Sequence, residues 1–349
     1  MLCALIMAGG RGTRFYPLST EQKPKQFLNL VGDKTMIQMT VNRLKKTMSF
    51  DQIFIATGEI YKSIVKEQLP EIPDENIIIE PCGRNTAPCI VLGALTIKKK
   101  YPHTNIVVLP SDALVQNEKE FNQIIQTADK FLDNNLESVI TLGIKPNRPE
   151  VGYGYIKQLS QKITINDREI YKVEKFVEKP NLETALRYLE EGCYLWNAGI
   201  FIWNVDYIEM LSKKHLEDTY NKLSKVVNSD KDEYESKLKE LYPMCESISI
   251  DYAIMEKIDS IYVIPSEFGW DDIGTWTALE RYLPQDANNN INNGNIYIES
   301  SNNNIVFSSG KKIVLLDIND MFCLESDEMI VVGKKENLSN VHKLKDKNI

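Results

Sequence analysis

The chain of 349 residues carries 41 Lys and Arg against 49 Asp and Glu, a formal net charge of −8, and 43% of its residues are hydrophobic. At roughly 100–200 residues per domain, this length predicts two domains, or one large core with an appendage. A net-acidic chain lacks the basic field of a non-specific nucleic-acid binder, so we expect no nucleic-acid partner and a local cluster of cations for any polyanionic ligand. No stretch approaches the roughly 20 apolar residues that span a bilayer, and we expect a cytoplasmic protein with no membrane partner.

Short β-branched runs alternate with amphipathic segments in the first half of the chain. The predicted strands are Leu2–Met7, Ile53–Thr57, Asn76–Glu80, Ile106–Leu109 and Val139–Ile144. Apolar side chains at helical spacing predict helices over Thr35–Lys46 and Phe121–Leu132. This alternation predicts an α/β fold with a Rossmann-like mixed, mostly parallel sheet flanked by helices. Ligands of such sheets bind at the carboxyl ends of strands, so the segments that directly follow strands are candidate sites.

The pattern of the remaining residues predicts that this domain continues and that a second, smaller domain follows it. Residues 151–283 mix helices such as Leu182–Leu189 with the predicted strands Gly154–Lys157, Tyr171–Val177, Gly199–Trp203 and Ile261–Ile264. An Asn-rich tract, Pro284–Gly294, is interpreted as a linker or loop. After it come the strand-like runs Ile296–Glu299, Ile305–Phe307, Ile313–Leu316 and Met329–Val332. We therefore predict domains over residues 1–284 and 295–349, the second β-strand-rich and β-helix-like.

The first predicted strand runs directly into a glycine-rich segment, AGGRGTR at Ala8–Arg14. Glycines at such a position let backbone N–H groups close around phosphate oxygens. The segment is not a P-loop, because no Gly-Lys-Ser/Thr closes it. It is not the dinucleotide fingerprint either, because Phe15 stands where the third glycine is needed. On the glycines alone, a plain tight turn is an equal interpretation.

Cations concentrate in the same segment and favour a phosphate-binding loop. Between Gly9 and Lys25 the chain has a local charge of +3, from Arg11, Arg14, Lys23 and Lys25 against Glu21. A solvated basic face is the alternative. Because glycines, a strand end and four cations coincide, we interpret the segment as a polyphosphate site.

Polar residues near the ends of later predicted strands allow two interpretations each. Asp112 either caps a turn or holds a divalent cation, and a second acidic site at Asp271–Asp272 favours the cation. Glu178 and Lys179 form either an exposed ion-paired turn or a ligand site. Asn197, in an apolar stretch, binds either a ligand hydroxyl or a partner in the core. Gly154 is either a bulge or a place where a ring approaches the backbone.

Five segments together resemble the signature of the sugar nucleotidyltransferases, and more narrowly of the mannose-1-phosphate guanylyltransferases (GDP-mannose pyrophosphorylases). They are GGRGTRFYPLSTEQKPKQF from Gly9, EPCGRNTAP from Glu80, LPSD from Leu109, FVEKP from Phe176 with LWNAGIF from Leu195, and FGWDDIGTW from Phe268. The resemblance implies the nucleotidyltransferase fold. It also implies a Mg²⁺-dependent transfer of GMP from GTP to mannose 1-phosphate, with GDP-mannose and pyrophosphate as products.

The resemblance implies a role for each matching residue. Arg14 and Lys25 are the implied catalytic residues. The implied nucleotide-binding residues are Ala8, Gly9, Gly10, Gly12, Thr13, Glu80, Arg84, Asn85 and Thr86. Gly154, Glu178, Lys179 and Asn197 are the implied sugar-phosphate-binding residues. Asp112 and Asp272 are the implied ligands of Mg²⁺ or another divalent cation, whereas Asp271 occupies a variable position and receives no metal role.

Glu80 is our hypothesis for recognition of the base. Guanine presents N1–H and N2–H donors side by side, and a carboxylate can accept both, whereas uracil and thymine offer only N3–H. The hypothesis rests on the position of Glu80 alone. Arg84, Asn85 and Thr86 are expected to contact base, ribose or phosphate, and their roles are not divided between them.

Several alternatives stay open from the sequence. The same chemistry could serve another sugar 1-phosphate, such as a manno-heptose, or another nucleotide. The chain could also be a non-catalytic homologue that binds nucleotide-sugar, although retention of Arg14, Lys25, Asp112, Lys179 and Asp272 argues against this. Short edge-forming strands rarely stand alone, so we expect the C-terminal segment to pack on its own domain or to support a homodimer.

Overall fold

A computed structural model describes residues 1–347, which divide into two compact units. Unit 1 comprises Met1–Gly9 and Thr40–Asp271. Unit 2 comprises Gly10–Met39 and Asp272–Ile349, of which the last two residues lie outside the described part. The tract at residues 284–294 therefore lies within unit 2. An independent domain over residues 295–349 stays a prediction.

A nine-stranded sheet forms the centre of unit 1 and confirms the predicted mixed α/β architecture flanked by helices. Its order is β3-β2-β1-β4-β9-β6-β10-β8-β7, and β5 pairs separately with β11. The strands of this unit are β1 Leu2–Met7, β2 Ile53–Gly58, β3 Ile77–Glu80, β4 Asn105–Pro110, β5 Leu114–Val115, β6 Val139–Ile144, β7 Tyr155–Ile165, β8 Arg168–Val177, β9 Tyr194–Asn204, β10 Ile261–Ser266 and β11 Trp270–Asp271.

The described residues contain ten α-helices, of which the first spans both units, the last lies in unit 2 and the others lie in unit 1. They are α1 Met36–Leu44, α2 Lys62–Gln68, α3 Thr86–Lys100, α4 Glu118–Leu132, α5 Leu182–Glu191, α6 Val205–His215, α7 Glu217–Val227, α8 Lys231–Leu241, α9 Ile250–Ala253 and α10 Trp276–Leu279. Asparagine side chains begin several of them: Asn117 Oδ1 accepts from Glu120 N at 3.1 Å, and Asn181 Oδ1 accepts from Thr184 N at 2.9 Å. Most of α3 is buried, consistent with its apolar sequence.

The strand directions bring the predicted site residues of unit 1 to the side of the sheet where the parallel strands have their carboxyl ends. Strands β3, β2, β1 and β4 are parallel, so Gly9, Glu80 and Asp112 all lie at or just beyond their carboxyl ends. Strand β9 runs antiparallel to β4 and β6, which places Asn197, near the start of β9, beside the end of β6. Gly154 and Glu178 flank the antiparallel pair β7 and β8, in which Tyr155 faces Val177.

Short strands form the C-terminal part of unit 2. They are β12 Ile291–Asn293, β13 Ile296–Glu299, β14 Ile305–Phe307, β15 Ile313–Leu316, β16 Met321–Glu325 and β17 Ile330–Lys334. Strands β12, β14 and β16 pair in parallel, β13 pairs in parallel with β15, and β17 closes antiparallel on β16. Successive parallel pairs of such short strands are the pattern of a β-helix.

The Asn-rich tract is a loop over residues 284–290, with one bridge from Gln285 to Ile291, so its interpretation as a linker or loop is wrong only for the strand β12 at residues 291–293. Residues 291–293 are a strand, and Asn290 is fully buried. The Asn290 Oδ1 accepts from the backbone N of Asn304 at 2.9 Å, and Asn304 Oδ1 accepts from Met321 N at 3.0 Å. These buried amides satisfy backbone groups of neighbouring turns, which a count of polar residues does not reveal.

Within residues 1–347, no helix has both the length and the apolar character needed to cross a bilayer.

Candidate functional site

Ala8 and Gly9 are held at the end of β1 by backbone bonds to β2. Ala8 N donates to Ala56 O at 2.7 Å, and Thr57 Oγ1 donates to Ala8 O at 3.0 Å. A Cβ on Gly9 would lie 2.7 Å from Glu80 Oε2, closer than real Cβ atoms approach an oxygen. A larger residue at position 9 would therefore displace the Glu80 carboxylate, which lies against the Gly9 backbone.

Glu80 is a buried carboxylate with protein partners. It is 7% exposed, and its Oε1 accepts a hydrogen bond from the hydroxyl of Tyr242, which is fully buried. Burial raises the pKa of the Glu80 carboxyl, although the bond from Tyr242 opposes the shift. Burial, followed by the Glu80 charge, raises the pKa of the Tyr242 hydroxyl far above its usual range. One oxygen of the Glu80 carboxylate is therefore bonded to Tyr242, and the other lies beside Gly9.

The loop after Glu80 is tied to the segment 242–250. An Arg84 Nη2 donates to Pro243 O, and Thr86 Oγ1 accepts from Ile250 N at 2.9 Å. Asn85 has a positive φ of 63°, and its side chain accepts from Thr86 N to begin α3. Arg84 and Thr86 therefore hold this loop in place through main-chain contacts, and the part that each plays toward a nucleotide stays a prediction.

Asp112 lies in a loop that is anchored on both sides. Thr40 Oγ1 donates to Ser111 O at 3.1 Å, and Arg43 Nη2 donates to Ala113 O at 3.3 Å. Arg43 is 1% exposed, and burial lowers the pKa of its guanidinium to about 10. Asp112 itself is half-buried at the carboxyl end of β4. The anchoring of both neighbours fixes the main chain from which the carboxylate projects.

The predicted sugar residues of unit 1 converge. A Cβ on Gly154 would lie 2.8 Å from Glu178 Oε2 and 3.6 Å from Asn197 Cβ. Asn197 N donates to Gly154 O at 2.8 Å. The backbone of Gly154 is therefore bordered by the side chains of Glu178 and Asn197.

Asn197, Glu178 and Lys179 all have partners within the protein. Asn197 has core partners, because its Oδ1 accepts from Gly199 N at 3.0 Å and its Nδ2 donates to Asp251 Oδ1 at 3.0 Å. Lys179 Nζ pairs with Glu178 Oε1 at 2.9 Å, and Lys179 has a positive φ of 38°. The strand ends before these residues, so the two charges form an ion-paired turn. Binding of sugar or phosphate by this cluster stays a prediction.

The cationic loop of unit 2 folds back on itself. Gln26 Nε2 donates to Gly10 O at 2.8 Å, and Lys25 N donates to Gly12 O at 3.2 Å. Gly12 has a φ of +24°, and a Cβ there would lie 3.0 Å from the Lys25 backbone N. Among residues 1–347, apart from the two chain neighbours of Gly10, no atom lies within 4 Å of a Cβ built on Gly10, so that face of the loop is open. Thr13 begins a short 3₁₀ turn that carries exposed Arg14.

Lys25 and Arg14 both adjoin the segment Asp272–Gly274 of the same unit. Lys25 is 5% exposed, and its ammonium donates to the main-chain O of Asp272. A Cβ on Gly274 would lie 3.1 Å from Asp272 Oδ2 and 3.3 Å from Arg14 Nη1. Ile273 between them is buried with a positive φ of 40°. Unit 2 thus brings together the two predicted catalytic cations and one predicted metal ligand.

Asp271 differs from its neighbour Asp272 in environment. It is 2% exposed and pairs with Arg148 Nη2 at 3.7 Å. The Arg148 guanidinium also lies over the ring of Trp196, 4.8 Å from its centroid. Asp271 therefore lies in an internal ion pair, and the metal role of Asp272 stays a prediction.

Tyr242 and Asp251 contact predicted site residues but were not predicted from the sequence. They lie 162 and 54 residues from their partners Glu80 and Asn197. A Ser249 side chain that accepts from Tyr252 N begins α9, and serine before an apolar run is a signal for that helix start. That signal predicts a helix but not the contact, which depends on the tertiary fold.

A family model described as nucleotidyl transferase matches residues 3–289. The chain is 36% identical over 353 residues to Mannose-1-phosphate guanylyltransferase 2 of Escherichia coli O157:H7, covering 98% of this chain and 72% of the relative. It is 31% identical over 358 residues to the Alginate biosynthesis protein AlgA of Pseudomonas aeruginosa, covering 98% and 71%. A crystal structure from Thermus thermophilus, titled mannose-1-phosphate geranyltransferase, matches with a TM-score of 0.86 and 29% identity, covering 99% of this chain and 98% of that one.

Proposed function

The chain belongs to the nucleotidyl transferase family, and from this premise we propose that it transfers GMP from GTP to mannose 1-phosphate, giving GDP-mannose and pyrophosphate. The observation that carries the proposal is that the predicted site residues of unit 1 lie together on the side of the sheet where the parallel strands have their carboxyl ends. Relatives named for this activity match nearly the full chain and support the choice of substrates.

The proposed reaction is an in-line displacement. A phosphate oxygen of mannose 1-phosphate forms a bond to the α-phosphorus of GTP, and the bond from that phosphorus to the β-phosphate oxygen breaks, with its electron pair leaving on pyrophosphate. Two polyanions must approach each other, so positioning and charge neutralisation account for most of the catalysis. No covalent enzyme intermediate is required.

We assign a role to each predicted residue within its own unit. In unit 1, Ala8 and Gly9 present the backbone to the nucleotide, Glu80 reads guanine, and Lys179 orients the attacking phosphate. In unit 2, Gly10, Gly12 and Thr13 hold phosphate oxygens, Arg14 draws charge from the leaving pyrophosphate, and Lys25 stabilises the α-phosphoryl group. The assignments toward phosphate use cationic side chains or backbone donors, and Glu80 supplies carboxylate acceptors for the base.

Asp112 and Asp272 are each proposed as ligands of Mg²⁺. No cluster of three His, Cys, Asp or Glu residues suited to a metal occurs within residues 1–347. The oxygen donors present still fit the ion, because Mg²⁺ is usually bound by one or two carboxylates, waters and substrate phosphates. Both carboxylates are half-buried, so water can complete the coordination. When bound, Mg²⁺ would neutralise phosphate charge.

Pyrophosphate release from a panel of substrates tests the proposed function. We expect release with GTP and mannose 1-phosphate, and much less when GTP is replaced by ATP, UTP or dTTP. Glucose 1-phosphate and a manno-heptose 1-phosphate test the choice of sugar. Release with a manno-heptose 1-phosphate alone would transfer the proposal to that sugar, and release with no pair of substrates would favour a non-catalytic binding protein.

The Glu80→Gln variant tests guanine recognition in the same assay. Its amide keeps an oxygen for the Tyr242 hydroxyl but cannot accept both guanine donors. We expect the preference for GTP over ATP to fall about 10- to 100-fold, the range for a hydrogen bond to a charged group. Tyr242→Phe is the matched control, since it removes the other partner of the pair and leaves the carboxylate. An unchanged base preference in Glu80→Gln would limit Glu80 to a structural role.

We also propose a cytoplasmic homodimer that associates through unit 2. Tyr297 and Val314 are neighbours on the pair β13 and β15, and with Leu316 they expose an apolar strip in which each side chain is 48–56% exposed. Light scattering is expected to give a dimer for the wild type and a 40.0 kDa monomer for Leu316→Asp. A wild-type monomer at micromolar concentration would contradict this proposal.

A further inference from the structure

Trp276, the first residue of α10, contacts both the cationic loop of unit 2 and the C-terminal strands of the same unit. It is 3% exposed. Its ring meets the ring of Phe15 edge-to-face, with the centroids 5.2 Å apart and an interplanar angle of 68°. It meets the ring of Phe307, in β14, in the same way, at 5.0 Å and 73°. These three buried residues, here termed the aromatic link, form continuous contacts from the loop to β14.

Hydrogen bonds attach the next residue of the loop to the same unit. The Trp276 Nε1–H donates to Tyr16 O at 3.2 Å. The Tyr16 hydroxyl donates to Met329 Sδ at 3.2 Å, and Met329 immediately precedes β17. A buried indole N–H normally has a hydrogen-bond acceptor, and here the acceptor is the main chain of the loop. Residues 15 and 16 are therefore held by contacts with later residues of unit 2.

The residues held in this way directly follow Arg14. Thr13–Phe15 form one 3₁₀ turn, so the main chain of Arg14 lies within a turn whose last residue is anchored. Trp276 also follows Gly274 by two residues. A Cβ on Gly274 would lie 3.1 Å from Asp272 Oδ2 and 3.3 Å from Arg14 Nη1. Trp276 is thus attached to the segment that carries Arg14 and to the segment that carries Asp272.

External support matters here because the loop has little rigidity of its own. Gly10 and Gly12 relax the main chain just before Arg14, and the Arg14 side chain is exposed. A guanidinium stabilises phosphate only when its N–H groups are aligned with the oxygens, and a misplacement of about 1 Å can cost about 10²-fold in rate. Packing from outside the loop must therefore fix the position of Arg14, and the aromatic link supplies it.

We propose that Trp276 is a positioning residue, which holds Arg14 in place beside Asp272, and that Phe307 extends this support into the C-terminal β region. The inference rests on the proposed function, because that function assigns Arg14 to the leaving pyrophosphate. Neither Trp276 nor Phe307 contacts substrate in this arrangement. The β region therefore contributes to the reaction through the aromatic link, in addition to its proposed role in association.

Steady-state kinetics in both directions test the proposal. Trp276→Phe keeps an aromatic ring but removes the N–H that bonds to Tyr16 O, and Phe307→Leu removes one edge-to-face contact. GTP and pyrophosphate carry the phosphates assigned to Arg14, so we expect their KM values to rise about 10-fold in each variant, the lower end of the range for a hydrogen bond to a charged group. Mannose 1-phosphate and GDP-mannose lack those phosphates, and their KM values should stay within about twofold.

Phe322→Leu is the matched control, because it makes the same substitution in the adjacent strand β16. Phe322 is 3% exposed, and its ring packs beside Gly333, outside the aromatic link. We expect the KM values for all four substrates to stay at those of the wild type. The melting temperatures show whether the two changes from phenylalanine to leucine cost similar stability.

A double-mutant cycle separates the positioning of Arg14 from a general loosening of the unit. Arg14→Met removes the charge on which the aromatic link acts. Adding Trp276→Phe or Phe307→Leu to Arg14→Met should therefore raise the KM for pyrophosphate by less than about twofold, whereas independent effects would multiply. The two variants are combined with Arg14→Met separately, so the cycle is complete with either one.

Three results overturn the proposal. The first is an unchanged KM for pyrophosphate in folded Trp276→Phe and Phe307→Leu proteins. The second is an equal rise in Phe322→Leu, which indicates a general effect of the β region, and the third is multiplication of the effects in the cycle with Arg14→Met. Failure of the proposed function is distinct, because the wild type would then release no pyrophosphate from GTP and mannose 1-phosphate.

Discussion

Replacing Lys25 by methionine is expected to lower kcat about 10²- to 10³-fold, comparable to the loss of one donor that stabilises a transition-state anion. Lys25 is 5% exposed, and its ammonium donates to the Asp272 main-chain O. A cation held in this way loses little conformational freedom when it neutralises a phosphoryl group. Methionine keeps most of the aliphatic stem, so packing against Gly12 is preserved while the charge is removed.

The measurement is steady-state pyrophosphate release at saturating GTP and mannose 1-phosphate. Lys34→Met is the matched control, because Lys34 is an exposed lysine of the same unit outside the proposed site. The melting temperature of each variant is compared with that of the wild type to exclude unfolding. A folded Lys25→Met protein with a kcat near the wild-type value would refute the assignment of Lys25.

Substituting Asp272→Asn is expected to cost a similar factor, on the order of 10²–10³ in turnover at a fixed low Mg²⁺ concentration. The Asp272 carboxylate and Arg14 Nη1 both adjoin the Cβ position of Gly274, at 3.1 and 3.3 Å, and asparagine preserves the size of the Asp272 side chain. A neutral amide is a weaker ligand for a hard divalent cation than a carboxylate. The Mg²⁺ concentration for half-maximal rate should therefore rise.

The adjacent residue supplies the control for this experiment. Asp271→Asn removes a buried charge that pairs with Arg148 at 3.7 Å, so it should lower the melting temperature and leave the Mg²⁺ requirement unchanged. The variant Asp112→Asn, tested separately, should raise the Mg²⁺ requirement as Asp272→Asn does. If Asp271→Asn changes the requirement and Asp272→Asn does not, the metal assignment is wrong.

Three predicted strands, Leu2–Met7, Val139–Ile144 and Ile313–Leu316, have the predicted bounds. The predicted Ile106–Leu109 extends by one residue at each end to Asn105–Pro110, because backbone pairing continues beyond the apolar run. Strand β9 begins at Tyr194, whereas the predicted strand began at Gly199. The prediction started too late because Asn197 interrupts the apolar pattern, although its amide is satisfied inside the fold. Side-chain partners of this kind cannot be seen in a hydrophobic pattern.

The candidate site was predicted in its residues but not in its supporting contacts. Gly9 was predicted for phosphate approach, and nothing in the sequence indicated that a Cβ at this position would lie 2.7 Å from Glu80 Oε2. Tyr242 and Asp251 escaped prediction because their roles arise from contacts between distant parts of the chain. Motif matching identifies residues whose spacing is local, whereas the tertiary fold supplies these partners.

Exchange of labelled pyrophosphate tests the central claim most directly. The protein is incubated with GDP-mannose, Mg²⁺ and ³²P-pyrophosphate, and the nucleotides are separated. One phosphoanhydride replaces another in the proposed reaction, so it should run readily in reverse and yield GTP labelled in its β- and γ-phosphates, together with an equal amount of mannose 1-phosphate. Label that stays entirely in pyrophosphate while GDP-mannose remains intact would contradict the transfer of GMP by this chain.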